Sequence, residues 1–525
     1  MKRALVLLSL AACTSWEPAY TQQPALLDPV ALDGQVALVE STNARVYLID
    51  PARPDAVRLV PVRTGPTLAA RHSGKNELVV LSRGERGGPG VTPEPAAVTI
   101  VSADPAVAPR VLPLGSRFNA LTQSDDGRFL LAHFGPGTAA ADTLFNPNEI
   151  AIIDLMAATP VVPRTIRSFG SVPAQVVFSP PMNLPDGPRR LAAILSQNFV
   201  TLLDLDHPTR PEITVPLTLP DDHRALQPVQ VLFEAQDPAV YVRATGANDI
   251  YALRLLPLAP TERAPDGNDF TPALSQLAAG SAPADMALYT AAEGPRLLVV
   301  SPGSGDAWVI DARTSRSTRI ALDEAANRIH LFEGTGPGDP KSRPRALLLG
   351  AGLGSRTISF LDLDQLELQG RRNLDSRSMG APALDSLFFP GRALAVVLHK
   401  AQPDTAGVSV IDLGQRTVAP ILAEVPPTRV AAGADKLWVG LDNYDPRLGF
   451  LDLRTLAPGE VRLDSPPTAI LPLAKAADGK NRVVVVHGDD PAGSLTVLDG
   501  DRPERATARA IVGFLLQDLL ERDDR

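Results

Sequence analysis

Seven histidines, one cysteine and a few Gly- and Asp-rich clusters are the residues of this 525-residue chain whose types could do chemistry. His133 and His487 each end an apolar run five residues after an arginine (Arg128 and Arg482), and His399 ends another seven residues after Arg392. The shared parity lets all three imidazoles point toward one face, as a metal site or a general base would require. They come from three separate stretches, however, and no His-x-x-x-His pair occurs anywhere. Isolated polar strand ends are the plainer reading. Gly350-Ala351-Gly352-Leu353-Gly354 is as glycine-dense as a phosphate loop, but it lies between two predicted strands and opens no helix whose amides could sum on an anion. Gly303-Ser304-Gly305 lacks the spacing of a nucleophile elbow. Asp204-Leu205-Asp206 and Asp362-Leu363-Asp364 pair carboxylates at hairpin turns, with no calcium-loop pattern around them. No residue is assigned as catalytic, and no metal or cofactor is expected.

The elements that must position these groups recur. A short apolar strand ending in Asp appears as Val46-Tyr47-Leu48-Ile49-Asp50, Ile152-Ile153-Asp154, Leu202-Leu203-Asp204, Trp308-Val309-Ile310-Asp311, Phe360-Leu361-Asp362, Val410-Ile411-Asp412, Phe450-Leu451-Asp452 and Val497-Leu498-Asp499. Two double gaps are filled by Thr99-Ile100-Val101-Ser102 and Tyr251-Ala252-Leu253-Arg254, giving intervals of 52, 52, 50, 50, 57, 51, 50, 40 and 47 residues. Before each Asp strand lies a second apolar run, such as Leu78–Leu81, Leu297–Val300 or Val483–Val486. It is often entered through hairpin chemistry like Asp125-Asp126-Gly127-Arg128. Four short antiparallel strands per unit of about fifty residues predict an all-β chain, a β-propeller of about ten four-stranded blades. The middle strands are apolar throughout because neighbouring blades would cover both faces. The Asp itself has a structural explanation, since its carboxylate can accept a backbone N–H two residues on and fix the turn.

At these units the chain resembles the YVTN-type propeller repeats of bacterial surface and periplasmic proteins, although the tetrapeptide itself is absent. The resemblance covers residues 30–515 as architecture and implies a fold, not an activity. Ten units exceed the four to eight blades usual in one ring. Unbroken phase favours a single large ring over two tandem rings, which Pro257–Pro272 could otherwise link. For Ala506–Leu520, helical spacing of Ile511, Leu515 and Leu519 competes with repeat phase, which makes Thr507–Val512 the last outer strand. Residues 516–525 read as a polar tail.

The N-terminus carries a second resemblance. Met1-Lys2-Arg3, a short apolar stretch and Leu10-Ala11-Ala12-Cys13 form a secretory signal rather than a membrane span. Leu-Ala-Ala-Cys is similar to the lipobox of bacterial lipoproteins. That resemblance implies cleavage after residue 12 and diacylglyceryl modification of Cys13, the only cysteine. Two acyl chains anchor stably where one would not. Residues 13–29 become the lipidated Cys and a flexible tether. With Cys13 consumed, disulfides, thiolate metal sites and c-type haem attachment are excluded. Thr14 in place of an Asp, which would resemble an inner-membrane retention signal, points to the outer membrane. Whether the body faces the periplasm or the exterior stays open.

Composition narrows the partners. The net charge is −9, no basic run stands out, and 43 of the 50 basic residues are Arg, so nucleic acid is not an expected partner. Three tryptophans are too few for the recurring Trp of quinone-cofactor propellers. The connections between the second and third strands vary most, at 83–95, 135–148, 302–306, 350–356, 400–406, 442–447 and 488–492, and variable loops on a rigid scaffold are where binding evolves. The expected function is a membrane-anchored, non-enzymatic scaffold that binds an envelope protein or glycan. It is similar in class to the propeller lipoprotein of the outer-membrane β-barrel assembly machinery. A propeller hydrolase or lactonase acting on an envelope sugar, or a surface adhesin, are the alternatives.

Overall fold

Alternating side chains on a strand point to opposite faces, so a run that is apolar at every position must be covered on both. The second strand of nearly every unit is such a run, and ten antiparallel four-stranded sheets stack face to face to cover them. The computed structural model describes residues 24–516 apart from 54–55, 89–91, 137–145, 168–171, 219–223, 337–338, 365–372, 400–406, 423–426, 434, 442–443, 474–477 and 489–491. Cys13, the leader and the tail beyond 516 therefore lie outside the described residues.

Each sheet is a blade of consecutive strands. Blade one, for example, runs Val30–Leu32, Gln35–Glu40, Arg45–Ile49 and Val57–Pro61, and blade ten runs Pro467–Leu473, Arg482–His487, Ser494–Asp499 and Arg509–Val512. First strands of neighbouring blades lie side by side and form the inner wall. The core is divided into ten apolar clusters, each shared by two consecutive blades. Parity does the sorting: in blade two, Leu78 and Val80 pack against blade one, and Val79 and Leu81 against blade three.

The tenth cluster settles the ring question. Val36, Leu38, Tyr47 and Ile49 of blade one pack on Leu473, Val484, Val486, Leu495, Val497, Ile511 and Phe514 at the other end of the chain. Tyr47 and Phe514 meet edge to face at 6.1 Å. Among the described residues blades one and ten exchange no strand, and the single ring of ten closes on apolar burial, at roughly 1.5–3 kcal/mol per fully buried large side chain before entropic costs.

Phase also places the last strand: Arg509–Val512 is the outer strand, and among the described residues 3-10 turns flank it at Arg505–Thr507 and Phe514–Leu516. Pro257–Pro272 is not a linker. The third and fourth strands of blade five, Asp249–Pro257 and Phe270–Ala278, stay paired to Pro257↔Phe270, and the Pro-rich segment is the tip of that hairpin. An element with no counterpart in the repeat is a small hairpin, Met182–Leu184 with Gly187–Arg189, inserted between the first two strands of blade four. Its Met182 and Leu184 join the cluster between blades four and five.

Candidate functional site

Strand order gives the ring two unlike faces. One carries the turns after first and third strands and may be termed the turn face. The other, the loop face, carries the connections between second and third strands and those leading into the next blade.

On the turn face the Asp series is structural. Asp50, Asp154, Asp204, Asp311, Asp412, Asp452 and Asp499 each accept a backbone N–H from two residues on, and most from three on as well, at 2.8–3.2 Å. In blade two the Ser102 hydroxyl takes the same role toward Asp104 N. A second series, unread in the sequence, faces it across the sheet: Arg296, Arg345, Lys436 and Arg482 sit directly opposite Asp311, Asp362, Asp452 and Asp499. A basic residue directly before the apolar run of the second strand, fifteen to seventeen positions before the Asp, is the signal that would have found it. The Asp204 and Asp362 pairs therefore belong to arginines. Asp362 binds Arg345 and Arg416 at 3.1 and 2.6 Å. Asp204 binds Arg189 at 2.7 Å, and Asp206 binds Arg128 of blade three at 2.9 Å.

The three histidines end second strands beneath the loop face, in blades three, eight and ten, and all are buried. The structure does not bring them together. His399 holds the Pro382 carbonyl through Nδ1 at 3.2 Å and meets the Ser409 hydroxyl through Nε2 at 2.7 Å. His487 repeats this with Pro466 and Thr496 at 3.2 and 2.8 Å. A carbonyl can only accept, so Nδ1 carries the proton and Nε2 receives the hydroxyl's. His133 faces the Phe134 carbonyl through Nδ1 at 3.1 Å. Burial lowers the pKa of His133 and His399, with the carbonyl bonds opposing it in part. The rings of His399 and His487 tie the entry into a blade to its own strands, a task that Ser301 performs toward the Ala279 carbonyl in blade six.

The glycine-rich connection of blade seven is equally occupied. Asn327 grips Ala351 through both N–H and carbonyl at 2.8 Å, and Gly352 N donates to the Ala383 carbonyl at 2.9 Å. A side chain at Gly350 would strike the Ala325 carbonyl and Ser355. Ser304, in its four-residue turn, bonds the Ser301 carbonyl at 3.3 Å.

What does converge lies where first strands begin, at the mouth of the channel on the loop face. Asp285 of blade six accepts from Gln230 Nε2 of blade five at 2.8 Å and from Ile329 N of blade seven at 2.9 Å. Arg243 Nε donates to Gln230 Oε1 at 2.9 Å. His330 of blade seven meets the Ser386 hydroxyl of blade eight at 2.8 Å, and its ring stacks on Phe388 at 4.9 Å and 8°. Burial lowers the His330 pKa; Asp285 and Asp385 oppose this and Arg328 adds to it. Running inward, Arg328, His330 and Phe332 share one face of their strand, and His330 and Phe332 meet Phe388 on the next. Among the described residues, no three His, Cys, Asp or Glu are placed to hold a metal ion. On the same face, consecutive blades seven, eight and nine expose Leu353 (47%), Leu384 (46%) and Tyr444 (88%). Sequence reasoning missed this cluster because its members come from different repeats; the signal was polar residues within otherwise apolar first strands.

No protein-family model matches the chain, and no curated protein sequence does. Among solved structures it is similar to dihydro-heme d1 dehydrogenase NirN in complex with DHE, at 14% identity and a TM-score of 0.41, covering 86% of this chain and 77% of that one. It is also similar to a eukaryotic initiation factor, at 12% identity and a TM-score of 0.42, covering 76% of this chain and 89% of that one. At such identities neither likeness bears on function.

Proposed function

We propose that this chain is a lipid-anchored β-propeller of the bacterial outer membrane that binds another envelope component, foremost a protein, through its loop face. The anchor rests on Leu10-Ala11-Ala12-Cys13. The observation that carries the binding role is the exposure of Tyr444, Leu353 and Leu384 on one face of three successive blades. Large exposed side chains on the same face as Arg328 and His330 are the composition of an interface core with a polar rim. Cross-linking of the anchored protein in its native membrane, followed by mass spectrometry, should recover one or two envelope proteins in near-stoichiometric amount. Tyr444→Ser should lower that recovery about tenfold, the ~1.4 kcal/mol of a modest hot-spot side chain. Undiminished recovery removes the loop face from the interface. A glycan partner would appear instead as retention on envelope polysaccharide with no protein enriched. Cys13→Ala should release the chain from membranes, and unchanged retention would sink the anchor.

One observation favours a second reading, a hydrolase or lactonase acting on an envelope sugar. The His330–Ser386 contact has the reach of a base and a nucleophile. Ester hydrolysis by the purified chain that disappears in Ser386→Ala would establish it. A surface adhesin would share the anchor and differ in which way the body faces, which protease shaving of intact cells distinguishes.

A further inference from the structure

Both ends of the ring emerge on the loop face. Residues 25–27 lie along the end of the second strand of blade one: Leu27 N donates to the Val39 carbonyl at 2.9 Å and Ser41 N to the Ala25 carbonyl at 2.8 Å, with Leu26 bridged to Glu40. Ala25 N and the Thr42 hydroxyl, in the loop-face connection of that blade, are 3.2 Å apart. Pro24 and Leu26 line a cavity of about 460 Å³ together with Gly488 and Gly493 of the corresponding connection in blade ten and with Phe514. The chain therefore enters the ring at the loop-face mouth of its inner wall.

Resting on the reading of Cys13 as the anchor, we infer that the loop face is the membrane-proximal face and that its partner is a protein reaching it from the membrane. Pro24 follows Cys13 by eleven residues, which span at most about 40 Å when fully extended and about 20 Å as a flexible coil. To turn the opposite face toward the bilayer, the tether must cross the blade's four strands, about 14 Å, and then run down a strand, about 20 Å more. That detour consumes nearly the whole extended length, whereas facing the membrane with the loop face needs almost none of it. Charge separates the two occupants of a membrane-proximal surface. The loop-face connections of blades seven to nine and those leading into them contain Asp323, Glu324, Asp404, Glu424, Asp442 and Asp445 against Arg356 and Lys400, with Asp445 paired to Arg447 at the start of the following strand. Anionic headgroups repel such a surface and favour basic ones. A membrane protein contacting Tyr444, Leu353 and Leu384 is the occupant that fits.

With Cys13 lipidated, an introduced cysteine is the sole free thiol. Full-length lipidated protein carrying Tyr444→Cys, or Met156→Cys in the turn-face connection of blade three (77% exposed), is labelled with a donor dye and reconstituted in vesicles bearing an acceptor lipid. Energy transfer should be several-fold higher from position 444 than from 156; equal or reversed transfer overturns the orientation. Vesicle flotation of the same samples reports the anchor separately, since protein that fails to float indicts Cys13 and not the geometry. In cells, a photo-cross-linker at 444 should capture a protein that stays with the membrane after alkaline extraction, while one at 156 should not. Capture of an extractable protein, or equal capture at both positions, overturns the partner.

Discussion

The two faces of the ring are built from opposite kinds of information. On the turn face the same device recurs in most blades: an Asp caps its own turn, and in four blades a basic residue stands directly opposite the Asp. On the loop face almost nothing recurs except a buried polar strand end, and the connections differ in length and charge. Repetition marks what every blade needs to stand beside its neighbours. Departure from repetition marks what the molecule does with the ring.

The largest test of that contrast is on the turn face. Arg189, 4% exposed, bridges Asp204 at 2.7 Å and Asp269, both nearly inaccessible, and so clips the inserted hairpin of blade four to blade five. Arg189→Ala should cost roughly 3–5 kcal/mol, because two carboxylates are left buried with the more exposed Arg210 and His207 beside them. A loss under about 1 kcal/mol in urea unfolding would show that the hairpin is decoration. Burial alone would raise the Asp269 pKa, but the bonds from Arg189 and Asp186 N and the Arg189 charge hold it below the usual value. Its contribution is therefore complete above the unfolded pKa near 3.9 and is lost as pH falls through the lower folded value. The variant should lack that acid-sensitive component.

Next in size is the turn cap. Asp452→Ala removes the acceptor of the Arg454 and Thr455 amides and should cost roughly 1–2 kcal/mol, read as a shifted denaturation midpoint at unchanged slope. On the loop side the buried imidazoles give a pH signature. The folded pKa values of His133 and His399 lie below the unfolded value near 6.5, so their stabilisation is full above that pH and fades as pH drops below it. His133→Gln should flatten the decline between about pH 6.5 and 5; an unchanged profile would mean His133 is not protonated on unfolding there. Smallest in stability is Tyr444→Ser, expected within about 0.5 kcal/mol of the parent in thermal unfolding although it weakens partner recovery. Equal losses of stability and binding would erase the distinction between the faces.

Much of the fold was legible because it is local. Val483–Val486 reads as a doubly covered strand, and Val497-Leu498-Asp499 as a strand ending in a capped turn, from residue types alone. Phase placed the last outer strand among Thr507–Val512, where it occupies Arg509–Val512. The inserted hairpin went unread although Asp186-Gly187 is a turn dipeptide, because a fifty-residue period averages over such departures. The histidines were legible as polar strand ends and not as partners.

The sequence by itself determined the repeat, the blade and the Asp cap, since each depends on side chains a few residues apart and on the two-residue period of a strand. The tertiary structure alone decided that ten blades close into one ring, because that rests on Tyr47 meeting Phe514 across almost the entire chain. It also decided that Gln230, Asp285, His330 and Ser386 share one channel mouth. Contacts between distant segments depend on the ten blades closing into one circle, which residues a few positions apart do not fix.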